Sequence, residues 1–151
     1  MKTLKLYITE ALHVNKNTKM PYNYHPKTHG ELSELVEKLI KERGNNADLN
    51  DIDTSGITDM TYIFFHSNFN GDISEWDVSN VTNMAAMFYD SKFNGNISEW
   101  NVSNVEDMSF MFQFSAFNLD ISDWDVSNVE DMNNMFTGSP LEKNPPKWYK
   151  K

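Results

Sequence analysis

The sequence has no cysteine, few basic residues for its length and no long apolar run. Its 151 residues include 13 Lys or Arg and 22 Asp or Glu, which give a formal net charge of −9. The absence of cysteine excludes a disulfide framework, a thiolate zinc site and a cysteine nucleophile. The shortage of basic residues argues against nucleic acid or an anionic membrane as the main partner. No apolar run reaches the roughly 18 residues that a membrane-spanning helix needs.

The acidic residues are concentrated in one part of the chain. Residues 1–69 hold 8 basic and 9 acidic residues, whereas residues 70–139 hold 12 acidic residues and Lys92 as their one cation. Residues 140–151 are basic, with four lysines and Glu142. The net charge therefore belongs to one segment, which leaves a basic protein surface as a candidate partner for it.

The acidic segment repeats with a period of 24 residues. NGDISEWDVSNVTNMAAMFYDSKF (70–93) is followed by NGNISEWNVSNVEDMSFMFQFSAF (94–117) and by NLDISDWDVSNVEDMNNMFTGSPL (118–141), and a weaker copy precedes them at 46–69. The apolar positions with this spacing are Trp76, Trp100 and Trp124, then Met84, Met108 and Met132, then Met87, Met111 and Met135. In a repeat protein each unit buries its apolar side on its neighbours, so these residues are predicted to form buried columns.

Two short segments of each unit suggest its local structure. The stretch from Val78 to Val81 is β-branched with Ser-Asn inside it, which favours a turn leading into a short strand. Met84, Met87 and Phe88 have the spacing of one helical or 3₁₀ turn. The sequence therefore predicts an α/β repeat: a short solenoid of about four 24-residue units over 46–141.

The segments outside the repeat are predicted to be helical caps, a linker and a tail. An amphipathic N-terminal helix is predicted over 1–14, followed by a linker over 15–27. Thr28 and Glu31 form a capping box that opens a second helix over 28–45, and this helix is predicted to cap the first unit of the solenoid. Residues 142–151 form the C-terminal tail. The candidate docking residues of the first helix are Leu4, Tyr7, Ile8, Ala11 and Leu12.

Two rows of acidic positions recur at the same period and are the candidate partner-binding residues. One row contains Asp51, Glu75, Glu99 and Asp123, and the other contains Asp53, Asp77 and Asp125. Like charges stacked on neighbouring units repel each other, so these rows are not expected to stabilise the stack. Two interpretations stay open, a solvated face and a ligand-binding face.

The sequence contains no motif for catalysis, a metal or a cofactor. It has no phosphate-binding loop, no Gly-x-Ser-x-Gly and no dinucleotide fingerprint. Asp51-x-Asp53-x-Ser55-Gly56 matches the start of a calcium loop, but Tyr62 stands where that loop needs Glu. Because its carboxylates recur in every unit, the repeat offers no unique pair with separated pKa values. We therefore predict no catalytic residues, no metal, no cofactor and no enzymatic activity.

The repeat resembles that of a known family. The phrase W-[DN]-V-S-N-V-x-[DN]-M-x-x-M-F, found at 76–88, 100–112 and 124–136, is similar to the repeat of BspA-like leucine-rich-repeat surface proteins and of mycoplasma lipoproteins. The resemblance covers 46–141 and implies a leucine-rich-repeat-like solenoid that binds proteins or host surfaces. It implies no catalytic residues. Unlike typical members, this chain has no lipoprotein cysteine. Its first residues are predicted to make a poor signal peptide, because Glu10 interrupts the apolar stretch.

A shorter resemblance concerns the first eleven residues. They are similar to the capsid-targeting leader of internal head proteins in some tailed phages, with Ile8-Thr9-Glu10 in the place of the cleavage triplet. The sequence thus predicts a non-catalytic protein–protein interaction module, with a structural or packaged component of a phage particle or other assembly as the alternative. The predicted partner is another protein or the chain's own assembly, without nucleic acid or membrane insertion. The predicted location is the cytoplasm of the producing cell or a virion, rather than the cell surface.

Overall fold

The 24-residue units are stacked beside a single α-helix in a computed structural model that describes residues 21–150. Within these residues there is one α-helix, α1 (His29–Arg43), and one short 3₁₀ helix (Pro140–Glu142). The units are called coils below: the first is 46–69, the second 70–93, the third 94–117 and the fourth 118–141. Isolated parallel bridges join each coil to the next.

Helix α1 begins and ends where its capping residues are. The Thr28 hydroxyl accepts a hydrogen bond from Glu31 N (3.2 Å), and the Glu31 carboxylate accepts one from Lys27 N (2.6 Å). At the other end Gly44, with φ of 90°, donates its N–H to Ile40 O. The apolar stripe of the helix is buried in the same core as the first coil, and its members are Leu32, Val36 and Leu39. His29 Nε2 donates to Thr61 O (2.7 Å), so the start of α1 also contacts the first coil.

Backbone hydrogen bonds between coils hold the stack together. Met84 N donates to Asp107 O (2.9 Å), and Phe88 N donates to Met111 O (2.9 Å). The same pairing recurs one coil earlier and one coil later, and the bridges run in parallel through Asp59, Asn83, Asp107 and Asp131. In a β-sheet the backbone N–H and C=O groups of neighbouring strands pair in ladders. Here hydrogen bonds between coils satisfy these backbone groups instead.

The prediction of an α/β repeat, with a leucine-rich-repeat-like solenoid built from strands and short helices, is wrong. Residues 46–139 contain no helix. Their parallel backbone pairings are isolated β-bridges that do not combine into a sheet. The stretch from Val78 to Val81 closes as a turn, because Val81 N donates to Val78 O (3.0 Å). The coils consist of turns, and the apolar spacing at Met84, Met87 and Phe88 reflects burial rather than a helical turn.

A left-handed backbone residue prevents the expected helical turn. Met87 N donates to Met84 O (3.2 Å), closing a β-turn whose third residue, Ala86, has φ of 53°. A type II turn requires such a residue at its third position, whereas an α- or 3₁₀ helix cannot contain one. The conformation recurs twice in every coil, at Tyr62 and His66, Ala86 and Asp90, Phe110 and Phe114, and Asn134 and Gly138. Each coil therefore turns twice within this stretch.

The predicted columns are buried, except that Met132 in the fourth coil is only partly buried, and phenylalanine forms the most regular column. Phe64, Phe88, Phe112 and Phe136 are at most 1% exposed, and their ring centroids are 5.4, 5.5 and 5.9 Å apart along the stack. Trp100 is 4% exposed, and its indole N–H donates to Ile73 O (3.2 Å). The burial predicted for the three tryptophans is confirmed. These apolar columns supply the main favourable free energy of folding.

The C-terminal tail continues the tryptophan column. Trp148 lies 24 residues after Trp124, its indole N–H donates to Ile121 O (3.1 Å), and its ring stacks on Trp124 at 6.5 Å. Tyr149 contacts Phe136 edge to face at 4.9 Å. These two aromatic residues cover the apolar columns where the fourth coil ends, which terminal units of a repeat stack require.

Candidate functional site

A group of aromatic side chains lies on the outside of the first three coils. Tyr62 is 58% exposed, Phe114 51%, Phe65 41% and Phe110 39%, while the Tyr89 side chain is half-buried between them. We call these five residues the aromatic face. Large apolar side chains exposed as a group, rather than singly, are typical of interaction sites.

Ring contacts connect the aromatic face across successive coils. The Tyr62 and Phe65 rings meet edge to face at 5.4 Å, and Phe65 stacks on Tyr89 of the next coil at 5.1 Å. Tyr89 meets Phe114 of the third coil edge to face at 5.7 Å. Phe110 occupies in the third coil the position that Tyr62 has in the first. The ring contacts thus connect four of the five residues, Tyr62, Phe65, Tyr89 and Phe114, into one surface that spans three coils.

The backbone under the aromatic face is left-handed at three of its five residues. Tyr62, Phe110 and Phe114 have φ of 60°, 58° and 57°. For a bulky L-residue this conformation costs about 1 kcal/mol or more, and glycine or asparagine is favoured there. Aromatic residues at these positions therefore lower the stability of the turns while exposing much of their apolar surface.

The fourth coil has no aromatic residue at the positions that form the aromatic face in the first three coils. Asn134 takes the place of Phe110, Thr137 that of Gln113, and Gly138 that of Phe114. Asn134 and Gly138 keep the left-handed conformation with φ of 55° and 72°. The fourth coil therefore keeps the same backbone without aromatic residues at these positions, and the Phe114 ring packs on Gly138, where an added Cβ would lie 2.3 Å from the ring.

Carboxylates lie beside the aromatic face in the same turns. Asp59 Oδ1 accepts a hydrogen bond from Thr61 N (2.8 Å), and Asp107 Oδ1 accepts one from Ser109 N (2.8 Å). Each aspartate is three residues before an aromatic residue of the face, Tyr62 or Phe110. In the second coil Asn83 makes the same bond to Ala85 N (2.9 Å). The side chains at 59, 83 and 107 thus stabilise their turns, and the two aspartates also bring negative charge to the edge of the face.

A histidine and an aspartate join two coils at the face. His66 Nδ1 donates to Asp90 Oδ2 (2.6 Å), and the His66 ring meets Tyr89 edge to face at 5.6 Å. Both side chains are about half exposed. The pair is therefore accessible to a partner, and it adds a second carboxylate position to the aromatic surface.

The predicted acidic row at 53, 77 and 125 has a role within its own turns. Asp53 Oδ1 accepts hydrogen bonds from Ser55 N (3.1 Å) and from the Ser55 hydroxyl (2.6 Å), and Asp77 is bonded by Ser79 in the same way. The Ser55 bonds and the nearby His25 hold the pKa of Asp53 below its usual range. The Ser127 hydroxyl and amide likewise lower the pKa of Asp125. These carboxylates stabilise turns by side-chain bonds to the backbone, and their partner-binding role stays a prediction.

In the predicted row at 51, 75, 99 and 123, the first residue is bonded to other side chains and the other three are exposed. Asp51 accepts two hydrogen bonds from Arg43, at 3.0 Å each, and a third from Asn23 Nδ2 (2.9 Å). The Arg43 bonds lower the pKa of Asp51 and join the end of α1 to the first coil. The other three, Glu75, Glu99 and Asp123, are exposed. They remain candidates for partner binding, whereas Asp51 is already engaged.

One sequence-based prediction concerns residues that the structure does not describe, and another concerns metal binding. The candidate docking helix, with Leu4, Tyr7, Ile8, Ala11 and Leu12, lies outside residues 21–150. Inside that range, no three His, Asp or Glu side chains gather closely enough to hold a metal ion.

The aromatic face was missed by the sequence analysis, although a signal for it was present. Its members interrupt the 24-residue pattern, because no position of the face is aromatic in all four coils. A search for aromatic residues outside the repeated positions would have found Phe65, Tyr89, Phe110 and Phe114.

A family model covers most of the chain. Residues 31–148 match the family described as "Mycoplasma protein of unknown function, DUF285". The chain belongs to this family. The match begins within α1 and ends at Trp148, so the DUF285 unit includes the cap, the four coils and the tryptophan that closes them. No curated protein and no solved structure matches the chain significantly.

Between residues 21 and 150, no helix combines the length and the apolar character that crossing a membrane requires.

Proposed function

We propose that this chain is a non-catalytic protein-binding module of the BspA-like kind, and that the aromatic face is its binding surface. One observation carries the proposal: Tyr62, Phe110 and Phe114 are exposed on left-handed backbone. They are unfavourable for folding at these positions, so a benefit outside folding is the simplest reason for their presence. Tyrosine and other aromatic residues are enriched at protein interfaces, where they supply large contact areas.

The repeated carboxylates support a binding role over a catalytic one. The pKa values of Asp53, Asp120 and Asp125 are all lowered by bonds from a serine two residues further on. General acid–base catalysis by two carboxylates needs one of them to keep its proton near neutral pH, which requires a raised pKa. Asp53 and Asp125 occupy the same position in the first and the fourth coil, and Asp120 occupies a different position of the fourth.

The alternative, a structural or packaged component of a phage particle, has no support in the described residues. It rests on the likeness of residues 1–11 to a capsid-targeting leader. Those residues lie outside both the described range and the family match.

The residues of the fourth coil provide the substitutions that test the proposal. Replacing Phe110 by Asn and Phe114 by Gly installs the residues of the fourth coil, Asn134 and Gly138, at the same turn positions. This double substitution, called the face variant below, removes aromatic surface while keeping residues suited to the backbone. The control is Leu119→Gly, which removes an exposed apolar residue outside the face and installs the residue found at Gly71 and Gly95.

The test is selection from a random short-peptide display library with the purified proteins as bait. We expect the wild type and Leu119→Gly to enrich the same peptides, and the face variant to lose that enrichment. Circular dichroism of all three proteins checks that they are folded. Equal enrichment by the face variant, or no enrichment by the wild type, would contradict the proposal.

A further inference from the structure

We propose that the aromatic face receives arginine side chains of a partner protein, each held between an aromatic ring and a carboxylate of the turns beside it. This inference rests on the proposed function and names the chemistry of the partner. It is built from the charge around the face, the free carboxylate oxygens at its edge and a guanidinium that the molecule already binds in this way.

The stretch of chain that contains the face has almost no positive charge. Between residues 59 and 138 there are 13 acidic residues, and Lys92 is the single Lys or Arg. Asp59 and Asp107 come three residues before Tyr62 and Phe110, and the exposed Glu106 is adjacent to Asp107. A cationic side chain is therefore attracted to this surface, whereas an acidic one is repelled.

Asp59 and Asp107, at the edge of the face, each have one carboxylate oxygen that accepts no hydrogen bond from the described residues. In both Asp59 and Asp107, Oδ1 accepts the turn hydrogen bond, while Oδ2 accepts no hydrogen bond from any of residues 21–150. Neither carboxylate forms an ion pair within that range. Successive coils lie about 4.8 Å apart, so Asp59 and Asp107, two coils apart in one bridged row, are separated by about 10 Å along the stack.

Arg43 shows how this molecule holds a guanidinium. Its Cζ lies 5.7 Å from the centre of the Tyr24 ring, and its two terminal nitrogens each donate to Asp51 at 3.0 Å. The guanidinium is planar, so it can contact an aromatic ring and bond a carboxylate in two places at once. Lysine has a compact ammonium group and cannot make this pair of contacts as well. The aromatic face has the same two kinds of group, exposed aromatic rings and, three residues before Tyr62 and Phe110, aspartates that form no ion pair within residues 21–150.

The remaining charged groups at the face are consistent with a cationic partner. His66 donates to Asp90 Oδ2 (2.6 Å), and the His66 ring meets the Tyr89 ring edge to face at 5.6 Å. Lys92 is exposed two residues further on, and it is the one Lys or Arg in this stretch. With Asp59, Asp90, Glu106 and Asp107 near the rings, the balance at the face is negative.

The experiment compares three synthetic peptides that differ in one residue type. Each has three copies of the test residue spaced by Gly and Ser, and the test residue is arginine, lysine or citrulline, the neutral analogue of arginine. Binding is followed by backbone amide chemical shifts of the full chain, at low and at physiological salt. We expect the arginine peptide to shift amides at 59–66, 83–90 and 107–114, and to bind about tenfold or more tightly than the citrulline peptide.

Two variants separate the inference from the proposed function. Asp59→Asn with Asp107→Asn keeps the turn hydrogen bonds, because Asn83 makes the same bond in the second coil. We expect this pair of substitutions to weaken binding of the arginine peptide about tenfold and to reduce its salt dependence. The face variant, which keeps Tyr62, Phe65 and Tyr89, should weaken the same binding by a similar factor.

The outcomes distinguish the two ideas. Equal binding of the three peptides, or arginine binding that the aspartate variant leaves unchanged, would overturn the arginine inference. If the arginine peptide does not bind while library peptides still depend on the face, the inference fails and the proposed function stands. If neither kind of peptide depends on the face, both fail.

Discussion

Two sets of phenylalanines in the same turns have opposite surroundings. Phe112 is fully buried in a column that continues through all four coils, with Phe88 and Phe136 at 5.5 and 5.9 Å. Phe110 and Phe114, two residues before and after it, are 39% and 51% exposed on left-handed backbone. The inner residue recurs at every coil, whereas the outer ones become Asn134 and Gly138 in the fourth.

The difference separates what builds the stack from what the stack displays. A residue that each coil needs for burial recurs with the period, because a gap in the column leaves a cavity. A residue that only the surface carries is free to vary between coils. The exposed aromatic residues vary between coils, and three of the five lie on unfavourable left-handed backbone, which is why we propose that they serve binding rather than folding.

The largest effect is expected where a core column is interrupted. Trp100→Ala removes a side chain that is 4% exposed and bonded to Ile73 O. We expect a loss of about 3–5 kcal/mol in the free energy of unfolding, as for other large aromatic-to-alanine changes in cores. Urea unfolding followed by circular dichroism measures it. A loss below about 1 kcal/mol would contradict the role of the tryptophan column.

A smaller loss is expected where the backbone of two coils comes close. A Cβ added at Gly71 would lie 2.0 Å from Ala47 O and 2.6 Å from the Phe69 ring, whereas a Cβ at Gly56 meets nothing within 4 Å. We expect Gly71→Ala to cost about 1–3 kcal/mol through overpacking, and Gly56→Ala to change stability by less than about 0.5 kcal/mol. Thermal and urea unfolding of the pair measure the difference. Equal stability of the two variants would show that the coils can separate without cost.

The bond between α1 and the first coil is expected to contribute about 1 kcal/mol near neutral pH, since the pair is partly exposed. Arg43 lowers the pKa of Asp51 in the folded chain. A lowered folded pKa gives stability that is present above the unfolded pKa, about 3.9, and is lost as pH falls through the folded value. Asp51→Asn should therefore be less stable than the wild type at pH 7, and the difference should shrink below about pH 4.

The control for that comparison is an exposed pair on α1. Lys38 and Glu42 are 4.0 Å apart, and both side chains are more than half exposed. Glu42→Gln should leave the free energy of unfolding almost unchanged at every pH, because exposed pairs contribute little. A pH-independent effect of Asp51→Asn, measured by urea unfolding, would rule out the ionised Arg43–Asp51 pair as its cause.

The sequence was sufficient to predict the period and the buried columns. Trp76, Trp100 and Trp124 have one spacing, and burial at the structural period follows from the need of each coil to cover the next. The helix start at Thr28 was also predictable, because capping depends on residues close together in sequence.

The local backbone of the coils could not be predicted in the same way. The spacing of Met84, Met87 and Phe88 fits a helical turn as well as a coil, and Ala86 is a good helix former. The left-handed conformation of Ala86 is set by hydrogen bonds to the next coil, such as Ala86 N to Ser109 O (2.9 Å). Contacts between coils thus overrode local propensity. Trp148, by contrast, could have been found, because it continues the 24-residue spacing of the tryptophans.

The most direct test of the central claim compares the free energies of unfolding of the face variant and of Phe112→Ala. The claim is that the exposed aromatic residues serve binding and not the fold. We predict that Phe112→Ala loses about 3–5 kcal/mol. The face variant should be as stable as the wild type or up to about 1–2 kcal/mol more stable, because Asn and Gly relieve the left-handed positions. A loss of about 2 kcal/mol or more in the face variant would contradict the claim, since Phe110 and Phe114 would then be part of what holds the coils together.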